Sequence, residues 1–142
     1  HVKELWVEAP SSGVTPRLNQ EILDEGRHFL QMNGREVFRH AITRFPQVIM
    51  EGLDVNQLTP EDIDLLVPHQ ANIRIAQMIQ KRLKLRDNQV YSNIHKYGNT
   101  TAASIPIALC EAMDEGRVKK GDLIVFAAFG SGFTWASAIV KW

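Results

Sequence analysis

The chain has 142 residues, 44% of them hydrophobic, with 16 basic and 16 acidic side chains and a single cysteine. That length supports one domain whose core needs neither disulfides nor a structural metal. The cancelled charge excludes a global field for nucleic acid or an anionic membrane, the lone Cys110 excludes an internal disulfide framework and fits a reducing compartment, and no apolar run nears the ~18 residues of a membrane span.

No initiator methionine and no basic-then-apolar leader opens the chain, so it reads as a soluble, cytoplasmic protein and as a fragment of a longer polypeptide. His1 to Trp6 gives no clean element. Residues 10–34 carry prolines, glycines, Asn19 and Asn33 among scattered apolar residues, and predict mainly loop with a short turn at most. Residues 1–34 are therefore a loop-rich connecting segment and 35–142 the domain proper.

From Glu36, the residues Val37, Phe38, Ala41, Ile42, Phe45, Val48, Ile49 and Leu53 recur at helical spacing, predicting a helix that ends near Gly52 and kinks at Pro46. Thr59, Pro60 and Asp62 form a helix-start signature of cap, first-turn proline and capping-box acid. Ile63 to Val67, apolar except for Asp64, predicts a buried strand stopping at Pro68. Ile73, Ile75, Ala76, Met78, Ile79, Leu83 and Leu85 mark a second helix. Val90 to Ile94 predicts a shorter strand, diluted by Ser92 and Asn93. Ala102 to Met113 predicts a third helix with a small-residue start, closed by Glu115 and Gly116. Leu123 to Phe129 and Phe133 to Val140 are two further strands joined by Gly130, Ser131 and Gly132. The order of elements points to an α/β layered domain, mostly parallel with a final antiparallel pair.

Two polar side chains follow strand-like runs: His69 in Pro68-His69-Gln70-Ala71-Asn72, and Asn99 in Tyr97-Gly98-Asn99-Thr100-Thr101. Donors held on separate rigid elements can converge on an oxygen where negative charge develops, which is how an oxyanion site is built. Both are expected at the carboxyl edge of the sheet, where open α/β sheets bind ligands.

The segments Asp64 to Ile75, Tyr97 to Pro106 and Ala128 to Trp135, with Met32 to Phe38 as a fourth, resemble the C-terminal half of β-ketoacyl-acyl carrier protein synthase III, the initiating condensing enzyme of bacterial fatty acid synthesis. The resemblance covers the chain from about residue 29 to its end. It implies a thiolase-like fold, a mixed sheet with helices on both faces, layered α-β-α-β-α in the complete homodimeric enzyme. That enzyme takes an acyl group from acyl-CoA onto a cysteine of its N-terminal half, then condenses it with malonyl-acyl carrier protein. The resemblance makes His69 and Asn99 the donors to the enolate oxygen and gives the backbone N–H of Ser131 to a second oxyanion site. It places Met32, Gly34, Phe38 and Asn72 along the pantetheine tunnel, Phe129 beside the substrate pocket, and Arg74 at the carrier-protein docking surface. It implies no cofactor beyond these substrates. The N-terminal half is then a required partner, which the small-residue helix Ala102 to Met113 would meet across an exposed apolar face.

Each residue also has a plainer reading. His69 could be structural, Asn99 a turn residue, Phe129 and Phe133 plain core, and Arg74 a solvated helix position. Cys110 falls within the pattern of Ile105, Ile107, Ala108, Leu109, Ala112 and Met113, and reads as inert core packing, no substitute for the nucleophile. His1, His28, His40 and His95 lack metal-ligand spacing, so no metal site is expected. Two rival functions stand beside the first: a related condensing or acyl-transfer enzyme of secondary metabolism, and a non-catalytic module that binds acyl carrier protein.

Overall fold

A computed structural model describes residues 1–13 and 15–142; Val14, within the segment read as loop, lies outside the described residues. The chain divides into two units, one of His1–Arg39 with Gly130–Thr134, the other of His40–Phe129 with Trp135–Trp142.

The first unit is more ordered than its loop-like composition predicts. Strand β1 (Leu5–Trp6), helix α1 (Gln20–Asp24) and strand β2 (Gln31–Met32) all lie in stretches read as loop or as no clean element. β1 and β2 pair antiparallel, Leu5 opposite Met32 and Trp6 opposite Gln31. Two-residue strands are too short to show a period, which is why the pattern missed them. Asn19 caps α1, its side chain accepting from the Ile22 N–H at 2.8 Å. Arg27 ties this unit together with ion pairs to Glu8 at 3.0 Å and Glu25 at 2.8 Å.

Helix α2 (Gly34–Val55) starts two residues before the predicted point and runs past Gly52. Asn33 explains the start, since its side chain accepts from the Glu36 N–H at 3.4 Å and its carbonyl from the Val37 N–H at 2.9 Å. The end comes at Gln57, whose φ of 57° turns the chain left-handed while the Leu58 N–H closes back onto the Leu53 carbonyl at 2.9 Å. Gly52 is therefore a packing residue. A Cβ there would stand 3.1 Å from Ser137 Oγ and 3.2 Å from Ile139 Cδ1.

In the second unit, a single 3₁₀ turn at Pro60–Asp62 follows the predicted capping signature, with Asp62 accepting from the Thr59 N–H at 2.8 Å and its hydroxyl at 2.9 Å. These bonds hold the Asp62 carboxyl below its ordinary range. β3 (Leu65–Pro68) is wholly buried and pairs parallel with β4 (Leu123–Gly130), Leu65 opposite Ile124 through Pro68 opposite Ala127. Asp64, the one polar break in that apolar run, extends the ladder. Its carboxylate accepts from the Leu123 N–H at 2.7 Å, and its own N–H donates to the Leu123 carbonyl at 3.0 Å. Helix α3 (Ile73–Leu83) follows, then the single helical turn α4 (Ile94–Tyr97), helix α5 (Ser104–Asp114) and strand β5 (Thr134–Lys141). The sheet order is β3-β4-β5.

Strand alternation sends Leu65, Val67 and Ile124 to one face, where they pack on Ala108 and Ala112 of α5. On the other face, Phe129 meets Phe45 of α2 with ring centroids 6.4 Å apart, and stacks on Trp135 at 6.3 Å. Helices therefore cover both faces.

Two expectations are corrected. Val90 to Ile94 is not a strand, since only one bridge, Leu66 to Val90, forms there and Ile94 already begins α4. The cause is a competing acceptor, the side chain of Gln70, which takes the Asn93 N–H that a ladder would have used. Cys110 is exposed, not core. α5 buries Ser104, Ala108 and Ala112, one stripe at four-residue spacing, and Cys110 sits between successive members of it on the outer side with Pro106 and Met113.

Candidate active site

His69 continues β3. Its backbone N–H donates to the Ala127 carbonyl at 2.8 Å, so the ladder fixes the residue before its side chain makes any contact. The ring is half-buried, and its Nδ1 lies 2.5 Å from Ser104 Oγ at the start of α5. Burial lowers its pKa below the ordinary 6.5, which favours the neutral ring at pH 7. The sign for folding follows: the unfolded histidine protonates first on acidification, so the contribution of the neutral ring is full above 6.5 and is lost as the pH falls toward the depressed value.

Asn99 is reached differently. The strand expected before it is absent, so it does not stand at a strand end. α4 ends at Gly98, whose φ of 68° and ψ of −156° suit glycine almost alone. Asn99 is exposed, and its Oδ1 accepts from the Thr101 N–H at 2.9 Å. With the oxygen committed, the amide NH₂ is the end left to face a ligand. Thr101 itself has φ 54°, a strained conformation for a β-branched residue, and opens the 3₁₀ turn Thr101–Ala103 that leads straight into Ser104. His69 and Asn99 are thus tied to the same short stretch, Thr101 to Ser104.

The polar network behind them escaped the sequence. Gln70 is 3% exposed. Its Nε2 donates to the Pro68 carbonyl at 2.6 Å, and its Oε1 accepts from Ser92 Oγ at 2.9 Å and from the Asn93 N–H at 3.2 Å. Buried Asn93 donates to Glu111 of α5 at 2.8 Å, and the same carboxylate takes Lys96 Nζ at 2.6 Å and Tyr97 OH at 3.3 Å. The Lys96 and Asn93 bonds hold the Glu111 carboxyl low, and Glu111 in turn raises Lys96. Tyr91 is pushed well above its ordinary value, by burial first and then by Glu115 and Glu111.

The other expected site residues lie on several separate elements. Asn72 caps α3, accepting from the Arg74 N–H at 2.9 Å, and Arg74 is exposed on that first turn. Neither is joined by a hydrogen bond to the His69 network among the described residues. Phe129 is buried in the aromatic group with Phe45 and Trp135. In the first unit, Met32 lies exposed on β2, Gly34 opens α2 and Phe38 is part-buried on it. Ser131 Oγ donates to the Leu5 carbonyl at 2.7 Å, alongside the Gly132 N–H at 3.1 Å. Phe133 is buried and stacked on His1, ring centroids 5.3 Å apart. Among the described residues no group of three or more histidine, cysteine or acidic side chains could hold a metal, and no helix is long and apolar enough to cross a membrane.

Residues 53–142 match the family model described as 3-oxoacyl-[acyl-carrier-protein (ACP)] synthase III C terminal. This chain belongs to that family. β-Ketoacyl-[acyl-carrier-protein] synthase III of Roseiflexus sp. is 48% identical over 86% of the chain and 37% of that protein. The protein of the same name from Caldanaerobacter subterraneus is 48% identical over 94% of the chain and 40% of its own length. A crystal structure of the Thermus thermophilus synthase III superposes with a TM-score of 0.85 at 41% identity, covering 99% of this chain and 42% of that one. The chain thus spans about two fifths of the length of the relatives it matches, and its fold is that of the C-terminal half of these thiolase-like synthase III enzymes.

Proposed function

We propose that this chain is the portion of a β-ketoacyl-acyl carrier protein synthase III that stabilises the enolate in a decarboxylative Claisen condensation. The observation that carries the reading is the anchoring of His69 and Asn99 on one stretch, with Nδ1 and Oδ1 engaged by the protein, which leaves Nε2 of His69 and the amide nitrogen of Asn99 to meet a ligand. In the reaction, the bond between the malonyl α-carbon and its carboxylate breaks, carbon dioxide leaves, and the electron pair moves toward the thioester oxygen. His69 Nε2–H and the Asn99 amide donate to that oxygen. The α-carbon then attacks an acyl thioester carried on a cysteine outside these 142 residues. The thiolate leaves, and a β-ketoacyl carrier protein is released. The backbone N–H of Ser131 serves the oxyanion of the acyl transfers.

Met32, Gly34, Phe38 and Asn72 line the pantetheine path in this reading, Phe129 borders the acyl pocket and Arg74 meets the acidic carrier protein. Acyl-CoA and malonyl-acyl carrier protein are substrates, and the complete enzyme is a cytoplasmic homodimer. The exposed Ala102, Ala103, Pro106 and Met113 at and beside α5 support a cysteine-bearing portion packing there.

The test separates the two half-reactions in the complete enzyme. His69→Ala and Asn99→Ala should each slow malonyl decarboxylation by a factor of about 100 to 1,000 while acyl-CoA still labels the cysteine. Normal decarboxylation with acylation lost would overturn the assignment.

A further inference from the structure

We propose that Ser104 is a positioning residue that sets the tautomer of His69, holding the ring proton on Nε2. The inference rests on the reading of His69 as a hydrogen-bond donor and adds the group that makes it one. Ser104 is 2% exposed and lies where α5 begins. Its Oγ has two neighbours, the Gln70 backbone N–H at 3.2 Å and His69 Nδ1 at 2.5 Å.

Donor bookkeeping decides the direction of the second contact. A backbone N–H can only donate, so Ser104 Oγ accepts from Gln70. If Nδ1 carried a proton, Oγ would accept twice, and its own hydrogen would be left inside the protein with no acceptor among the hydrogen bonds of the described residues. A buried unsatisfied donor is disfavoured. If instead the Ser104 O–H donates to Nδ1, all three groups are satisfied. Nδ1 is then an acceptor and the single proton of the neutral imidazole stays on Nε2. The bond from Gln70 polarises the hydroxyl and strengthens its donation.

The fold supplies this geometry from two directions. The Gln70 N–H is fixed because His69 continues the β3 ladder and Gln70 is buried beside it. Ser104 is fixed by α5, whose buried stripe of Ser104, Ala108 and Ala112 packs toward the sheet. Alanine and glycine would fit that stripe by volume, but neither has a side-chain donor to hydrogen-bond Nδ1.

The test is imidazole ¹⁵N NMR on the complete enzyme at neutral pH, with Ser104→Ala and Ser104→Thr beside the parent. The parent should show a His69 ring with Nε2 protonated and Nδ1 as acceptor. Ser104→Ala should move the ring toward a mixture with the other tautomer and lower kcat for malonyl decarboxylation, with cysteine acylation unchanged. Ser104→Thr, which restores a hydroxyl, should recover both the spectrum and the rate. A parent ring protonated at Nδ1 overturns the proposal without any variant having to fold, and so does an unchanged Nε2–H spectrum in Ser104→Ala. If the spectra behave as expected but His69→Ala decarboxylates at the parent rate, the donor reading of His69 fails while the control of its tautomer by Ser104 stands.

Discussion

On the proposed reading, His69 and Asn99 offer the same chemistry from opposite kinds of support. His69 is held by backbone, because it prolongs a buried parallel strand and its N–H belongs to the sheet ladder. Asn99 is held by side chains, because it lies on an exposed turn that α4, Gly98 and the Glu111 clasp keep in place. The difference teaches where precision comes from: the ladder fixes the position of one donor and leaves only its tautomer to the neighbouring Ser104, whereas the other depends on a chain of polar contacts that single substitutions can cut. Gln70 stands between them, bonded to the Pro68 carbonyl on one side and to Ser92 and Asn93 on the other.

Removing that link should have the largest effect. Gln70→Leu keeps the volume but leaves the Pro68 carbonyl and the Asn93 N–H buried without their partner. At about 1–3 kcal/mol for each of these two buried groups left unpaired, the expected loss is about 2–6 kcal/mol, read as a lower denaturant midpoint at unchanged slope. An unchanged midpoint would mean that the two supports are independent.

Gly98→Ala probes the Asn99 side alone. Its φ of 68° with ψ of −156° admits almost only glycine, and nothing within 4 Å would obstruct a Cβ, so the whole effect is backbone strain. Strain of this kind costs about 1–3 kcal/mol. If the turn relieves it by shifting Asn99, decarboxylation falls while the stability loss stays at the low end of that range. A full stability loss with normal decarboxylation would show that the turn holds its shape, and that Asn99 is as firmly fixed as His69.

How much of this the sequence carries follows the same division. β3, β4, α3 and α5 are legible because their apolar residues reach the buried core, β5 is legible from its run of strand-forming residues although none of it is buried, and the capping signature of Thr59 and Asp62 is local chemistry read correctly. Gly52 misleads as a helix end because a glycine that permits close approach to Ser137 and Ile139 looks the same in one dimension as a glycine that stops a helix. The strand expected at Val90 to Ile94 fails because Gln70, distant in sequence, captures the Asn93 N–H. His69 and Asn99 stand out by residue type and neighbours. Ser104, Gln70 and Glu111 do not, since serine at a helix start and glutamate on a helix face are ordinary, and only the fold brings them to their partners. Cys110 is misplaced because α5 is apolar nearly all round, and the pattern alone does not say which stripe faces the sheet.

The smallest expected effect comes from the outermost contact. Glu111→Gln removes the charge that Lys96 meets at 2.6 Å and weakens the acceptor for Asn93 and Tyr97, yet keeps the shape of the side chain. The pair is open to solvent and screened by salt, so a modest loss of stability is expected, with a smaller fall in decarboxylation than Gly98→Ala produces. Its pH dependence carries the diagnosis. The Glu111 carboxyl is held below its ordinary 4.5, so its contribution is present above that pH and fades as the pH falls through the lowered value. Lys96 is raised above its ordinary 10.5, so its share persists below that pH and is lost as the pH climbs through the raised value. The gap in stability between parent and Glu111→Gln should therefore be widest between these limits and close toward both ends. A gap that stays constant down to low pH would mean that Glu111 supports α4 by packing, and that the Asn99 turn does not depend on its charge.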